Sequence, residues 1–463
     1  MRGIRAILLA FGAVLIVGTA MAAEPVQLNN DWMAKVEAEM TAAAELRKSY
    51  DFSAGSSDQP FTKRNGGFFE VSGLVAVEVY RSDESVKVRA AMGMFGLADA
   101  GNEDLALFFD GRGEDGYDGD LSIEEGWVQF ALGEGHWVRL GIQQFNSDHA
   151  GLVYNDSDRG VVLHGTAGAV GVNLAYFAKT FDDAVSQLNT ENGRPWHVII
   201  ANLEVPLGDG EAVKLQMIPS FHYSIDRTGM TDTDVGYLGV STAGMVHGLQ
   251  VIGAGYWAFG EQTGGMVNPA EQTVEAFQVL VDVGVPLMEG KVFPHLGFFM
   301  ASGDDDPLDR RARGFDAIYD RVSAWGYNHF IIKNRINLGP GSLARANSGL
   351  FTFRDFDEPA NFVNPGIVAF NAGLTTKWTD TFVTDFNVGP AFLPHSDVPE
   401  LVLGRNMGQE VGWALNVNAT WDVAPNVQVV GGVAAFIPQG VAETIFLGNT
   451  TALNACVMVK IKV

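Results

Sequence analysis

The residues able to do chemistry in this chain are spread out, and their spacing says more than their identity. Lys87, Arg89, Glu125, Arg139, Gln143, Lys214, Gln216 and His222 each fall in a stretch where polar and apolar residues alternate. Gln278, Asp282, Asp385, Asn387, Glu410, Asn416 and Asn418 do the same further on. A period of two puts such residues on one face of a β-strand and their apolar neighbours on the other. Catalytic patterns are missing. The nine histidines are scattered, and the sequence contains no G-x-S-x-G, H-E-x-x-H or phosphate-binding glycine motif. The expectation is a polar surface that binds or guides a solute, with no cofactor, no metal and no enzyme chemistry.

Composition narrows the class. Of 463 residues, 55 are glycine and only 18% are charged, against roughly 25% charged in ordinary soluble domains. That mixture suits many strands and tight turns. The net charge of −25, or −27 once Arg2 and Arg5 are removed with a leader, excludes a nucleic-acid binder. Cys456 stands alone, so no internal disulfide or thiolate metal site is expected, and it reads as a small packing residue. Asp115, Asp118 and Asp120 lie in a glycine-rich run without the closing Glu of a calcium loop, and read as a solvated hairpin tip.

Residues 1–23 have the form of a signal peptide: Arg2 and Arg5, an apolar run, then Ala20-Met21-Ala22. The next part, 24–66, reads as a periplasmic helix and linker. Asn29, Asn30 and Asp31 could cap a helix over 32–48, which is rich in Ala, Glu and Met. This helix could plug a pore or meet a periplasmic partner.

From residue 67 to 463 the alternation recurs, giving about eighteen candidate strands, many near the 9–11 residues a tilted membrane strand requires. Two- or three-residue turns such as 133–135, 208–210, 288–290, 379–380 and 424–425 alternate with long polar connections. A soluble sandwich has no reason to sort its loops in this way. An outer-membrane barrel does, with short turns inside and long loops outside. Only the hairpin near 82–84 breaks the rule. Trp137, Trp378 and Trp421 at short-turn ends and Trp196 and Trp257 at long-loop ends suit two aromatic girdles. The fold class predicted is therefore an all-β transmembrane antiparallel barrel in the bacterial outer membrane, embedded in lipid and lipopolysaccharide.

A charge facing hydrocarbon costs about 2–4 kcal/mol at the midplane, so the alternating polar residues should face the lumen. There they either line a passage for small polar solutes or pair into salt bridges that fill the bore. The longest connection, 302–361, opens with Asp304-Asp305-Asp306 and carries Arg310, Arg311, Arg313, Arg321 and Arg335. It is the expected constriction, its arginines selecting anionic solutes.

Three stretches resemble the alginate-export family of outer-membrane porins. The first is Val138-Arg139-Leu140-Gly141-Ile142-Gln143-Gln144 with Asp158-Arg159-Gly160-Val161. The second is Ala301-Ser302-Gly303-Asp304-Asp305-Asp306-Pro307 with Gly314-Phe315-Asp316-Ala317, and the third begins at Gly408-Gln409-Glu410-Val411. The resemblance implies an eighteen-stranded monomeric barrel passing anionic polysaccharide or small polar solutes. That family lines its pore densely with arginine, where this chain keeps Arg89 and Arg139 in a mixed lumen. Two other roles stand beside a channel: a sheath around a partner such as a periplasmic cytochrome, and an outer-membrane enzyme.

Overall fold

A computed structural model describes residues 25–48, 66–99, 120–179, 196–208, 210, 212–227, 231–265, 267–320, 322, 324–326, 329, 360–445 and 449–462. Eighteen long antiparallel strands form one closed sheet. They are β1 (Trp32–Lys48), β2 (Gly66–Arg81), β3 (Val86–Asp99), β4 (Asp120–Gly133), β5 (His136–Asn146) and β6 (Asn155–Ala167). Next come β7 (Val170–Lys179), β8 (Trp196–Leu207), β9 (Val213–Asp226), β10 (Asp232–Val246), β11 (Leu249–Thr263) and β12 (Gln272–Gly284). The last six are β13 (Val292–Ala301), β14 (Ile367–Lys377), β15 (Phe382–Phe392), β16 (Glu410–Ala424), β17 (Val427–Pro438) and β18 (Ala452–Lys462). Each pairs with its sequence neighbour, and β1 pairs with β18 from Glu39↔Lys462 to Lys48↔Leu453, which closes the cylinder and removes its edges.

The segment expected as a periplasmic helix is this first strand. Its Ala, Glu and Met content favours helix, but its period is two. Lys35, Glu37, Glu39 and Thr41 occupy one face, and Val36, Ala38, Met40, Ala42 and Leu46 the other. Two open barrel edges offer ladder hydrogen bonds and an apolar surface that outweigh a propensity difference of a few tenths of a kcal/mol per residue. The correction also removes the anomaly at 82–85. With β1 in place that turn belongs to the short-turn end, where Ser82 N–H donates to the Asp31 carbonyl. Connections 134–135, 168–169, 208–212, 247–248, 285–291, 378–381 and 425–426 share this end. Residues His247 and Gly248, both at positive φ, make a tight primed hairpin turn there. The other end carries the longer connections, apart from the brief 227–231.

The outer face is apolar. Leu238, Trp257 and Phe277 form one cross-strand row of exposed side chains, and Leu374, Phe386, Val417 and Val433 another. Large apolar side chains standing outward around a cylinder are the lipid belt of a membrane barrel. Trp378 and Trp421 are exposed at its short-turn end, Trp257 and Trp413 nearer the other. Trp137 and Trp196 are not girdle residues. Both point inward, Trp137 stacking on His164 and Trp196 donating Nε1–H to Ser224 Oγ. Two short helices, α1 (Asp397–Leu403) and α2 (Gly440–Ile445), sit in long-loop connections. Cys456 is buried against its neighbours. Residues 1–24 and the aspartate run at 115–118 lie outside the described residues.

Candidate functional site

The site is the lumen, and its two halves differ. In the short-turn half β1 to β8 present a chain of polar contacts. Arg89 on β3 donates to Glu125 on β4 at 2.5 Å and to Glu37 on β1 at 2.7 Å, with Glu78 of β2 at 3.9 Å. Lys35 binds Glu37 at 2.6 Å, and Lys87 reaches the turn residue Glu84 at 2.8 Å. Four strands thus converge on one guanidinium, whose charge is consumed locally. A helical reading of 32–48 keeps Glu37 out of this group, and Glu78 is visible in the sequence only through the alternation of β2.

Arg139 on β5 is placed otherwise. Its guanidinium lies 4.1 Å from the Trp127 ring centroid and 4.8 Å from that of Trp137, and it donates to Gln129 Oε1. No carboxylate among the described residues lies within ion-pair distance of it. The indole faces hold the cation by its quadrupole attraction without cancelling its charge. From there His164, Asn173, Asn202 and Glu204 continue the chain across β6 to β8 with contacts of 2.8 Å. Lys214 and Gln216 share the inward face of β9 with His222, but stand exposed where the bore opens at the short-turn end.

In the long-loop half two connections fold inward and pack. Residues 147–154 are held by buried Asp148, whose carboxylate accepts N–H groups from Ala150, Leu152 and Val153. Burial pushes that carboxyl above its ordinary pKa even so. Residues 302–320 of the long connection cross to meet this loop. Tyr319 N–H donates to the Val153 carbonyl, and Asn155 N–H donates to the Tyr319 carbonyl. On the way Tyr237 stacks edge-on against Phe315 and donates to the Asp316 carbonyl. Phe362 N–H donates to Gln262 Oε1. Aromatic side chains fill the space, Tyr154 on Phe177 among them. Gln143, His222 and Gln278 are buried in this half.

The wall of β12 to β16 stays polar. Asp282 accepts from His295 Nδ1 at 2.9 Å and from the Trp325 indole Nε1 at 2.8 Å, so a residue of the long connection rests on the bore wall. Asn416 Nδ2 donates to the Trp325 carbonyl. Asn371 donates to Asn387, Asn387 to Asp385, and Thr375 Oγ1 to Asp385. Gly326, at φ 84°, fits against Asn416, Asn418 and Asp385 with no room for a Cβ. Asp282, Asp385, Asn387, Asn416 and Asn418, expected in the lumen, therefore form one cluster. Trp325 was not foreseen, because nothing local ties it to Asp282.

Two expectations need correction. Glu410 is exposed at the end of β16: a bulge opposite Phe392 puts Val411, fully buried, on the inside instead. Nor do the described arginines of the long connection line a constriction. Arg310 and Arg311 are exposed beside β12, Arg311 facing Glu275 at 3.8 Å. Arg313 binds Asp305 at 2.7 Å and Asp309 at 2.8 Å, with Asp304 at 3.5 Å. Neighbouring aspartates thus consume the charge of Arg313 and tie down the foot of the loop. Burial raises the Asp304 carboxyl to about 6. Arg321 and Arg335 lie outside the described residues.

Fold and lumen together define an eighteen-stranded membrane β-barrel, with a lipid-facing belt and inwardly folded loops. Solved structures share it: the outer membrane protein OpdK of Pseudomonas aeruginosa superposes with a TM-score of 0.55 at 8% identity, over 93% of this chain and 98% of that one. A BenF-like porin from Pseudomonas fluorescens gives 0.55 at 8% over the same shares. OccK2 of P. aeruginosa, in complex with glucuronate, gives 0.53 at 11%, again over 93% and 98%. No family model and no curated protein matches the sequence.

Proposed function

We propose that the chain is an outer-membrane channel passing small polar solutes, including anionic ones, by passive diffusion, after export through the leader at 1–23. The observation that carries this reading is a closed barrel, apolar outside, whose lumen is polar and crossed by its own loops. In channels, inward loops and opposed charges set size and charge selectivity. OpdK has been solved with vanillate and OccK2 with glucuronate, both small carboxylates, and the guanidinium of Arg139, paired with no carboxylate among the described residues, is a group that could meet such a solute here.

The finer assignment to the alginate-export family rests on the three motifs alone. An arginine-lined path for a polyanion has little support in this lumen, since Arg89 is matched by Glu37 and Glu125 and Arg313 by aspartates. A sheath around a cytochrome fits less well, because 147–154, 302–320 and Trp325 occupy bore that a partner would need. A periplasmic partner through 24–66 loses its helix, as 32–48 belong to the barrel wall. Planar-bilayer conductance with a salt gradient tests the proposal: steady current supports it, and a folded but silent barrel overturns it.

A further inference from the structure

The indole of Trp325 is pinned where the bore wall carries titratable groups. Asp282 lies at the middle of the contact: its Oδ2 accepts from Trp325 Nε1 at 2.8 Å and from His295 Nδ1 at 2.9 Å. Two glycines make the fit, since a Cβ at Gly297 would meet the indole and one at Gly373 would meet the imidazole. Two further titratable groups face the contact. Asp385 on β15 acts on His295 by its charge and takes its own hydrogen bonds from neutral Asn387 and Thr375. His329, further along the long connection, packs edge-on against Trp325 with centroids 5.4 Å apart. The remaining neighbours are neutral among the described residues: Ile252 opposite Asp282 on β11, Thr375 on β14, Asn416 and Asn418 on β16.

From this geometry we infer that Asp282 and His295 form a proton-operated catch, which holds Trp325 against the bore wall and so governs how far the bore is narrowed there. Histidine is the side chain type whose charge changes at about pH 5 to 8. When His295 is protonated, its bond to Asp282 is a charge-assisted ion pair, and one cation serves two carboxylates. When His295 is neutral, the same bond is weaker, and Asp282 and Asp385 share the wall as like charges with no cation between them. The catch is therefore firm in acid and loosens as pH rises and His295 gives up its proton. A charge on His329 would be drawn to the same carboxylates, so both histidines act in one direction. His295 is 9% exposed and Asp282 8%, enough for water to exchange protons with the pair where no larger solute fits. The inference deepens the channel reading, on which it rests for the current that the catch controls.

The test records current through the reconstituted barrel at about pH 5 to 8. In parallel it follows the fluorine resonance of Trp325 in protein labelled with fluorotryptophan, assigned by its loss in Trp325→Phe. Time-averaged current in the parent should fall about two- to fivefold from the alkaline to the acid end, as expected when one hydrogen bond roughly doubles in strength. In His295→Gln, whose amide N–H can still donate to Asp282 but does not titrate, current and resonance should both stay flat. Trp325→Phe, which keeps a ring and loses the donor, serves if the glutamine variant does not fold, and should conduct in acid as the parent does in alkali. A parent that responds to pH beside a flat variant supports the catch. A parent that does not respond, or a variant that follows it, overturns the catch. A folded barrel silent at every pH overturns the channel reading instead. In that case a Trp325 resonance that moves with pH in the parent and not in His295→Gln leaves the catch standing, and one that does not move overturns it too.

Discussion

Arg139 and Arg89 look alike in the sequence, both inward at alternating positions, yet the fold gives them opposite fates. Arg89 is a structural tie among three carboxylates. Arg139, held between indoles, keeps its field. Replacing Arg139 with Gln should lower the anion-to-cation permeability ratio by about two- to fivefold, since a unit charge a few ångströms from a passing ion in water is worth about 1 kcal/mol before screening. Reversal potential in a salt gradient reads this, and an unchanged ratio would remove Arg139 from the path. Asp304 gives a pH prediction at the loop foot. Its folded pKa, about 6, lies above the ordinary 3.8. Protonated Asp304 therefore favours the folded foot, and that contribution is complete below about pH 4 and lost as pH rises through 6. Asp304→Asn, which stays neutral, should flatten this part of the profile. Protection of the long connection from protease between pH 4 and 7 would show the difference, and identical profiles for both proteins would refute it.

At the scale of elements, the sheet was readable because alternation is a backbone property. Leu238, Val240, Phe277 and Val281 stand outward in the order their spacing dictates. Leu238→Arg should cost about 2–4 kcal/mol in folding into bilayers, as charge near the midplane does, while Gln216→Arg, on the exposed inward face of β9, should cost little. Urea titration in lipid vesicles compares the two, and equal losses would reverse the inside and outside assigned here. Composition misled where it disagreed with period: alanine and glutamate in β1 suggested a helix, and barrel closure decided otherwise. The bulge at Val411 was invisible because one inserted residue shifts the register by one. Contacts of the long connection were unreadable for a different reason. Trp325 meets Asp282 only through tertiary folding, and a run of arginines does not say that Asp305 and Asp309 will take up one of them. Gly326→Val, strained at φ 84° and forced against Asn416 and Asn418, should release this contact and raise conductance, whereas an unchanged conductance would mean that Trp325 does not narrow the path.

The whole molecule is a cylinder whose outside is settled by lipid and whose inside is divided. One part of the bore is packed by its own loops around aromatic side chains, another is an amide and carboxylate wall, and the short-turn half carries opposed charges. Such a bore should conduct modestly, with a current limited by the loops and not by the full diameter of eighteen strands. Single-channel recording of the refolded barrel tests this most directly. The account predicts steady unitary current, increased in Gly326→Val and shifted toward cations in Arg139→Gln. A correctly folded barrel that carries no current, in the parent and in Gly326→Val alike, would contradict it.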